Sequence, residues 1–199
     1  MGMDDLRTDS PPARISTAPP RSLLLRAGEW YSRRRFGVVL APAYAMAHNP
    51  RVLRTVMRGE LAAERWDTVP SALKTLAVMA AAGTVGCSWC MDFGYWHGIE
   101  EGLDAAKVCD LPRWQTSDAY TELERAAIAY AQAMSTTPLE VTDAHVDRLR
   151  EHLSEAQLVE LTMVVAIENQ RARFNTALGL PSQGFADRCA LPQHEPGAA

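Results

Sequence analysis

Residues 72–97 read ALKTLAVMAAAGTVGCSWCMDFGYWH. From Ala72 to Ala82 the stretch is apolar nearly all round, broken only by Lys74 and Thr75, which is the pattern of a helix buried on every side. Gly83 and Gly86 then deliver the chain to Cys87 and Cys90, a C-x-x-C spacing at the start of a second central helix expected to run to about Glu101, with Gly102 as its stop. No segment anywhere alternates apolar and polar residues as a strand does, so the fold class predicted is all-α.

Working outward, Leu23, Leu24, Ala27, Trp30, Tyr31 and Phe36 recur at helical spacing before Gly37. Pro42 precedes a short helix over Ala43 to Ala47, and Pro50 suits the first turn of a helix from Arg51 to Glu64. Downstream, Asp104 reads as the cap of a short helix through Val108. Ser117 or Asp118 is expected to start a long amphipathic helix to Met134. Thr142 caps the next helix, and Ser154-x-x-Gln157 has the form of a capping box before a last long helix, Glu155 to about Leu178. The proline-rich polar ends, residues 1–20 and 186–199, are expected to be tails, with residues 182–199 wandering over the surface, around one helical domain at 21–185.

Composition narrows the function classes. Hydrophobic residues make up 47% and charged residues 22% of the chain, the balance of a globular protein rather than a disordered one. A formal net charge of −4 argues against a nucleic-acid partner, because phosphate binding needs a basic surplus on one face. The one basic run, Arg33-Arg34-Arg35, reads as a solvated helix face. No stretch reaches the ~18 to 20 apolar residues of a membrane span, and Met1 to Pro20 lacks the apolar centre of a signal peptide. The expected setting is therefore the cytoplasm, where a C-x-x-C is redox-active or metal-binding more often than a structural staple.

Three readings of the thiol pair compete. A thiolate is favoured at a helix N-terminus by free amide groups and the macrodipole, so Cys87 and Cys90 could form a reversible disulfide. A zinc site would need two further ligands, and no second C-x-x-C or H-x-x-x-H accompanies the pair; no metal or other cofactor is expected. Inert buried thiols are the third reading, and the one expected for the isolated Cys109 and Cys189. His97, seven residues after Cys90 and on roughly the same helix face, is a candidate proton shuttle or simply a packed residue. Asp92 is a further candidate, though the helix dipole explains its place as well. Glu168, with Asn169 and Arg173, forms an abrupt polar cluster on the last helix, either a base or anion holder beside the sulfurs or an internal salt bridge.

The helix from Ala72 running into Gly86-Cys87-Ser88-Trp89-Cys90-Met91-Asp92-Phe93-Gly94 resembles the core motif of the carboxymuconolactone decarboxylase-like superfamily, which includes alkyl-hydroperoxidase D. His48-Asn49-Pro50 and the segment from Glu168 to Gly179 extend the resemblance over residues 40 to 185. It implies an all-helical fold that assembles as dimers, trimers or hexamers. In the hydroperoxidase branch the second cysteine attacks peroxide, the first resolves it, and a glutamate and a histidine relay the proton. Carried over, Cys90 is the peroxidatic thiol and Cys87 the resolving one. The relay positions, however, fall on Thr75 and Gly94, which cannot move a proton. The lactone-decarboxylating branch lacks the C-x-x-C, so that reaction is not expected. The function implied is a thiol–disulfide protein that reduces a peroxide or a disulfide at the expense of a thiol donor. The rival is a non-catalytic helical oligomer binding an apolar molecule or partner in a pocket lined by Trp89, Phe93, Trp96 and Met79.

Overall fold

The computed structural model describes residues 13–186, and every regular element among them is helical. The outer parts of the two expected tails, 1–12 and 187–199 with Cys189, lie outside the described residues. The described chain forms two compact units, one of residues up to Trp66 with Phe174–Pro181, the other of Asp67–Arg173 with the residues from Ser182.

In the first unit, α1 (Leu23–Phe36) begins where the Ser22 hydroxyl accepts the Leu25 N–H and ends at Gly37, whose φ of 75° is the left-handed conformation open to glycine. Arg33, Arg34 and Arg35 are exposed in its last turn, where cations suit the dipole. The second helix, α2 (Ala41–Ala47), starts two residues earlier than its sequence suggests, because Pro42 sits within the first turn instead of ahead of it. Asn49 caps α3 (Pro50–Ala63) by accepting the N–H groups of Arg51 and Val52. Leu25, Ala47 and Leu53 form the small core of this unit with Tyr44, Met46 and Met57. Residues 13–20 carry no helix; the Arg14 N–H donates to the Leu178 carbonyl at 2.8 Å.

The second unit is organised on α4 (Ser71–Val85). Leu73, Leu76, Ala77, Met79 and Ala80 to Ala82 are all buried, as its sequence predicts, and the helix packs on both α5 (Ser88–Glu100) and α7 (Glu122–Ala133). Between them α6 (Ala105–Asp110) leads into a 3-10 turn at Leu111–Arg113. The start of α7 departs from expectation by about one turn. Ser117 does not cap it, because its hydroxyl donates to Asp110 at 2.7 Å while its carbonyl accepts the Arg125 guanidinium. The cap is Thr121, in a reciprocal box with Glu124. Thr142 precedes α8 (Asp143–Arg150) and Ser154 precedes α9 (Glu155–Ala177), the latter through the predicted exchange with Gln157.

A single carboxylate joins α9 to the start of α4. Buried Glu160 accepts the N–H groups of Thr68 at 3.0 Å and Val69 at 3.3 Å, the Thr68 hydroxyl, and Lys74 Nζ at 3.0 Å. Burial alone would raise its pKa; the Thr68 hydroxyl, Lys74 and the two amides outweigh burial and bring it from 4.5 down to about 2. A depressed folded-state pKa means that the contribution is complete above about pH 4.5 and is lost as pH falls toward 2. Glu160→Gln is therefore expected to lose about 2 kcal/mol at pH 7 in urea unfolding, with the gap from wild type closing as the pH is lowered through that window. An equal gap at pH 7 and pH 2 would contradict this role.

Candidate active site at the C-x-x-C turn

The two sulfurs are placed by a sharp break between buried helices. Gly86, at φ 78°, turns the chain out of α4, and both its N–H and that of Cys87 donate to the Ala82 carbonyl at 3.0 Å. This 6→1 closure satisfies the carbonyl that the helix end would otherwise leave open. Cys87 is then the N-cap of α5, with extended backbone angles, and its sulfur accepts the N–H of Cys90 at 3.2 Å, the part a serine hydroxyl usually plays. Cys90 lies in the first turn. The two residues form a disulfide with their Cα atoms 5.3 Å apart. Both are buried, Cys87 at 2% and Cys90 at 7% exposure.

At one of the relay positions α5 packs closely on α4. A Cβ on Gly94 would stand 2.9 Å from Met79 Cγ, nearer than real Cβ contacts come, so a side chain at 94 would force the buried Met79 to shift. One turn on, a Cβ on Gly98 would stand 3.4 Å from Thr75 Cγ2, an ordinary contact. A side chain at 94 would have to displace Met79.

The remaining candidates are dispersed. His97 is half-exposed on α5, about 10 Å up the helix axis from Cys90. Its ring packs edge-on to Phe93 at 5.6 Å, and its Nδ1 lies 3.9 Å from the Glu101 carboxylate. Glu168 is buried on α9 with Arg171 at 3.3 Å. Asn169 donates to the Ser135 hydroxyl at 2.8 Å, and Arg173 donates to the Ser135 carbonyl and the Thr137 hydroxyl, so this polar cluster fastens the loop after α7. Cys109 is half-buried on α6, where burial and then the neighbouring Asp110 charge push its thiol up, away from reactivity. Among the described residues no group of three His, Cys, Asp or Glu is arranged to hold a metal ion, and no helix is long and apolar enough to cross a membrane.

Asp92 and the aromatic residues have a different role from the one their sequence suggests. Residues 182–186 do not wander: they form a strap along α5. The Asp92 carboxylate accepts the N–H of Gln183 at 2.9 Å and that of Ala186 at 2.8 Å. Burial alone would raise its pKa, but these amides, with Ser182 and the Phe185 N–H, hold it below the ordinary value. The Trp89 indole donates to Gln183 Oε1 at 2.8 Å. Phe185, fully buried, lies against Phe93 at 5.3 Å, Trp96 at 5.6 Å and Trp89 at 6.2 Å, while Trp89 stacks on Phe93. The rings that the rival reading placed around a pocket thus pack on Phe185 of the same chain. One signal in the sequence could have marked the strap: Phe185 is the one Phe, Trp or Tyr in residues 179–199.

Similarity to known proteins extends over most of the chain. The carboxymuconolactone decarboxylase family model matches residues 50–133. The uncharacterized protein YnjA of Escherichia coli (strain K12) is 32% identical over 180 residues, which is 88% of this chain and 97% of that protein. Among solved structures, the debrominase Bmp8 superposes with a TM-score of 0.76 at 24% identity, over 85% of this chain and 92% of its own. An alkylhydroperoxidase AhpD core protein from Ralstonia eutropha JMP134, described as peroxidase-related, reaches 0.78 at 17% identity, over 88% and 95%. At these identities the two structures establish a shared fold.

The Gly94 contact is testable by itself. Gly94→Ala is expected to cost about 1–3 kcal/mol in urea unfolding through overpacking, and less in a Met79→Ala background. The same cost in both backgrounds would mean that Met79 is not what residue 94 must avoid.

Proposed function

This chain belongs to the carboxymuconolactone decarboxylase family, and from that premise we propose that it is a thiol–disulfide oxidoreductase of the alkyl-hydroperoxidase type, acting in the cytoplasm as a homo-oligomer. The observation that supports the reading best is the Cys87–Cys90 disulfide itself, closed at the cap and first turn of a helix, where amide groups and the macrodipole favour the thiolate form.

The chemistry balances with a dithiol and a hydroperoxide. A Cys90 thiolate attacks the outer peroxide oxygen, the O–O bond breaks, and the alkoxide leaves as the alcohol after taking a proton. Cys90 is now a sulfenic acid. The Cys87 thiolate attacks the Cys90 sulfur, hydroxide leaves and is protonated to water, and the disulfide closes. An external dithiol reduces the disulfide and is itself oxidised. Of the acid–base candidates, His97 keeps a half-exposed titratable ring on the Cys90 side of α5 and is assigned to pass protons through water; the Asp92 and Glu168 carboxylates are engaged elsewhere. Without the family's direct relay the peroxide step is slower by up to ~10²- to 10⁴-fold, the usual worth of general acid–base assistance.

A second reading rests on the aromatic cluster beside the pair and on a fold-sharing relative. A cysteine-to-alanine variant of Bmp8 has been crystallised with 2,3,4-tribromopyrrole. The same dithiol could reduce a carbon–bromine bond, giving C–H, HBr and the disulfide.

One experiment separates these outcomes. Treating the reduced protein with one equivalent of peroxide is expected to remove two thiols per chain in wild type. Cys90→Ser should show no rapid loss, and Cys87→Ser should stop at a Cys90 sulfenic acid that dimedone traps. Equal thiol loss in wild type and Cys90→Ser defeats the proposal; bromide release from a bromopyrrole without peroxide consumption replaces it with the second reading.

A further inference from the structure

The strap is fastened to the very turn that carries the two sulfurs. Trp89, which donates to Gln183 and packs on Phe185, stands inside the four-residue loop that the disulfide closes. Asp92, which accepts the Gln183 and Ala186 amides, follows Cys90 by two residues. While the disulfide is closed, the cap residue and the first turn are tied together, and the Trp89 backbone between them has one orientation to offer the strap. Opening the disulfide removes one of the ties on the N-cap, whose backbone is extended and not helical, and leaves the turn that carries the anchor of Gln183 and Phe185 held by the Cys87–Ala82 and Met91–Cys87 backbone bonds.

We propose that Asp92 is a positioning residue: through residues 182–186 it clamps the first turn of α5 in the geometry of the closed disulfide, so that strap docking and the redox state of Cys87–Cys90 are coupled. The coupling is reciprocal by thermodynamic necessity. A docked strap favours the disulfide over the dithiol, and reduction loosens the strap. Asp92 therefore carries no proton in the reaction; its carboxylate holds amides. Release of the strap on reduction uncovers Phe185 and the faces of Trp89 and Trp96, so the reduced and oxidised proteins present different surfaces.

This inference rests on reading Cys87 and Cys90 as a pair that opens and closes, but its test needs no peroxide. The disulfide–dithiol equilibrium of the full chain is measured against dithiothreitol buffers. Asp92→Asn is expected to shift it toward the dithiol by about tenfold, the effect of losing a charge-assisted hydrogen bond, which is ~30 mV for a two-electron couple. In wild type, the Gln183 and Ala186 amides are expected to exchange with solvent about tenfold faster in the reduced than in the oxidised protein. The Val69 amide, held by Glu160 in the same unit, should exchange alike in both states and so reports any general loosening. Gln183→Ala, which removes the acceptor of the Trp89 indole and keeps the backbone amide that Asp92 accepts, should shift the equilibrium in the same direction and serves if Asp92→Asn does not fold. An unmoved equilibrium overturns the proposal, as does Gln183 and Ala186 exchange that is equal in the two redox states or changes only in step with Val69. Failure of the peroxide assay with these shifts intact would remove the peroxidase reading and leave the clamp.

Discussion

The break at Gly86 is the constraint on which the rest of the site depends. α4 buries Leu73, Leu76, Ala77, Met79 and Ala80 to Ala82, and at its end the left-handed conformation of Gly86 allows two amides to close on the Ala82 carbonyl within one residue. That closure places Cys87 outside the helix as a cap and Cys90 inside it, with the Cys90 N–H on the Cys87 sulfur. A longer connection would separate the thiols from the buried interior. A straight one would make both part of a continuous helix, with no N-terminus to favour a thiolate.

The same two helices impose a cost on the chemistry. Their close approach is made at Gly94 and Gly98 against Met79 and Thr75, and the first of these contacts leaves no room for a side chain. For the proposed peroxide chemistry, proton movement falls to solvent and to the half-exposed His97 ring, because the carboxylate nearest the thiols in sequence, Asp92, accepts backbone amides. Buried carboxylates elsewhere follow the same rule: Glu160 is ionised because four donors converge on it, and its place between α9 and the start of α4 is structural.

Much of the helical pattern was legible because each signal is local. Pro50 after Asn49, Ser154 before Gln157, and Gly37, Gly86 and Gly102 past helix ends state their roles within a few residues. The misread elements are those in which a local signal was claimed by a distant partner. Ser117 looks like a cap but bonds Asp110, so α7 starts at Thr121. Residues 182–186 look like a tail because they follow Gly179 and Pro181 and carry no helical periodicity; their partners are some ninety residues earlier, on α5.

By itself, then, the sequence determined the all-helical class, the apolar face of α4 and the C-x-x-C at a helix start, since periodicity, capping and residue identity are properties of short windows. Tertiary structure decided what those residues face. That Met79 forbids a side chain at 94, that Asp92 holds amides instead of a proton, and that Phe185 sits among Trp89, Phe93 and Trp96 are contacts between segments far apart in the chain, and only the packed interior brings them together.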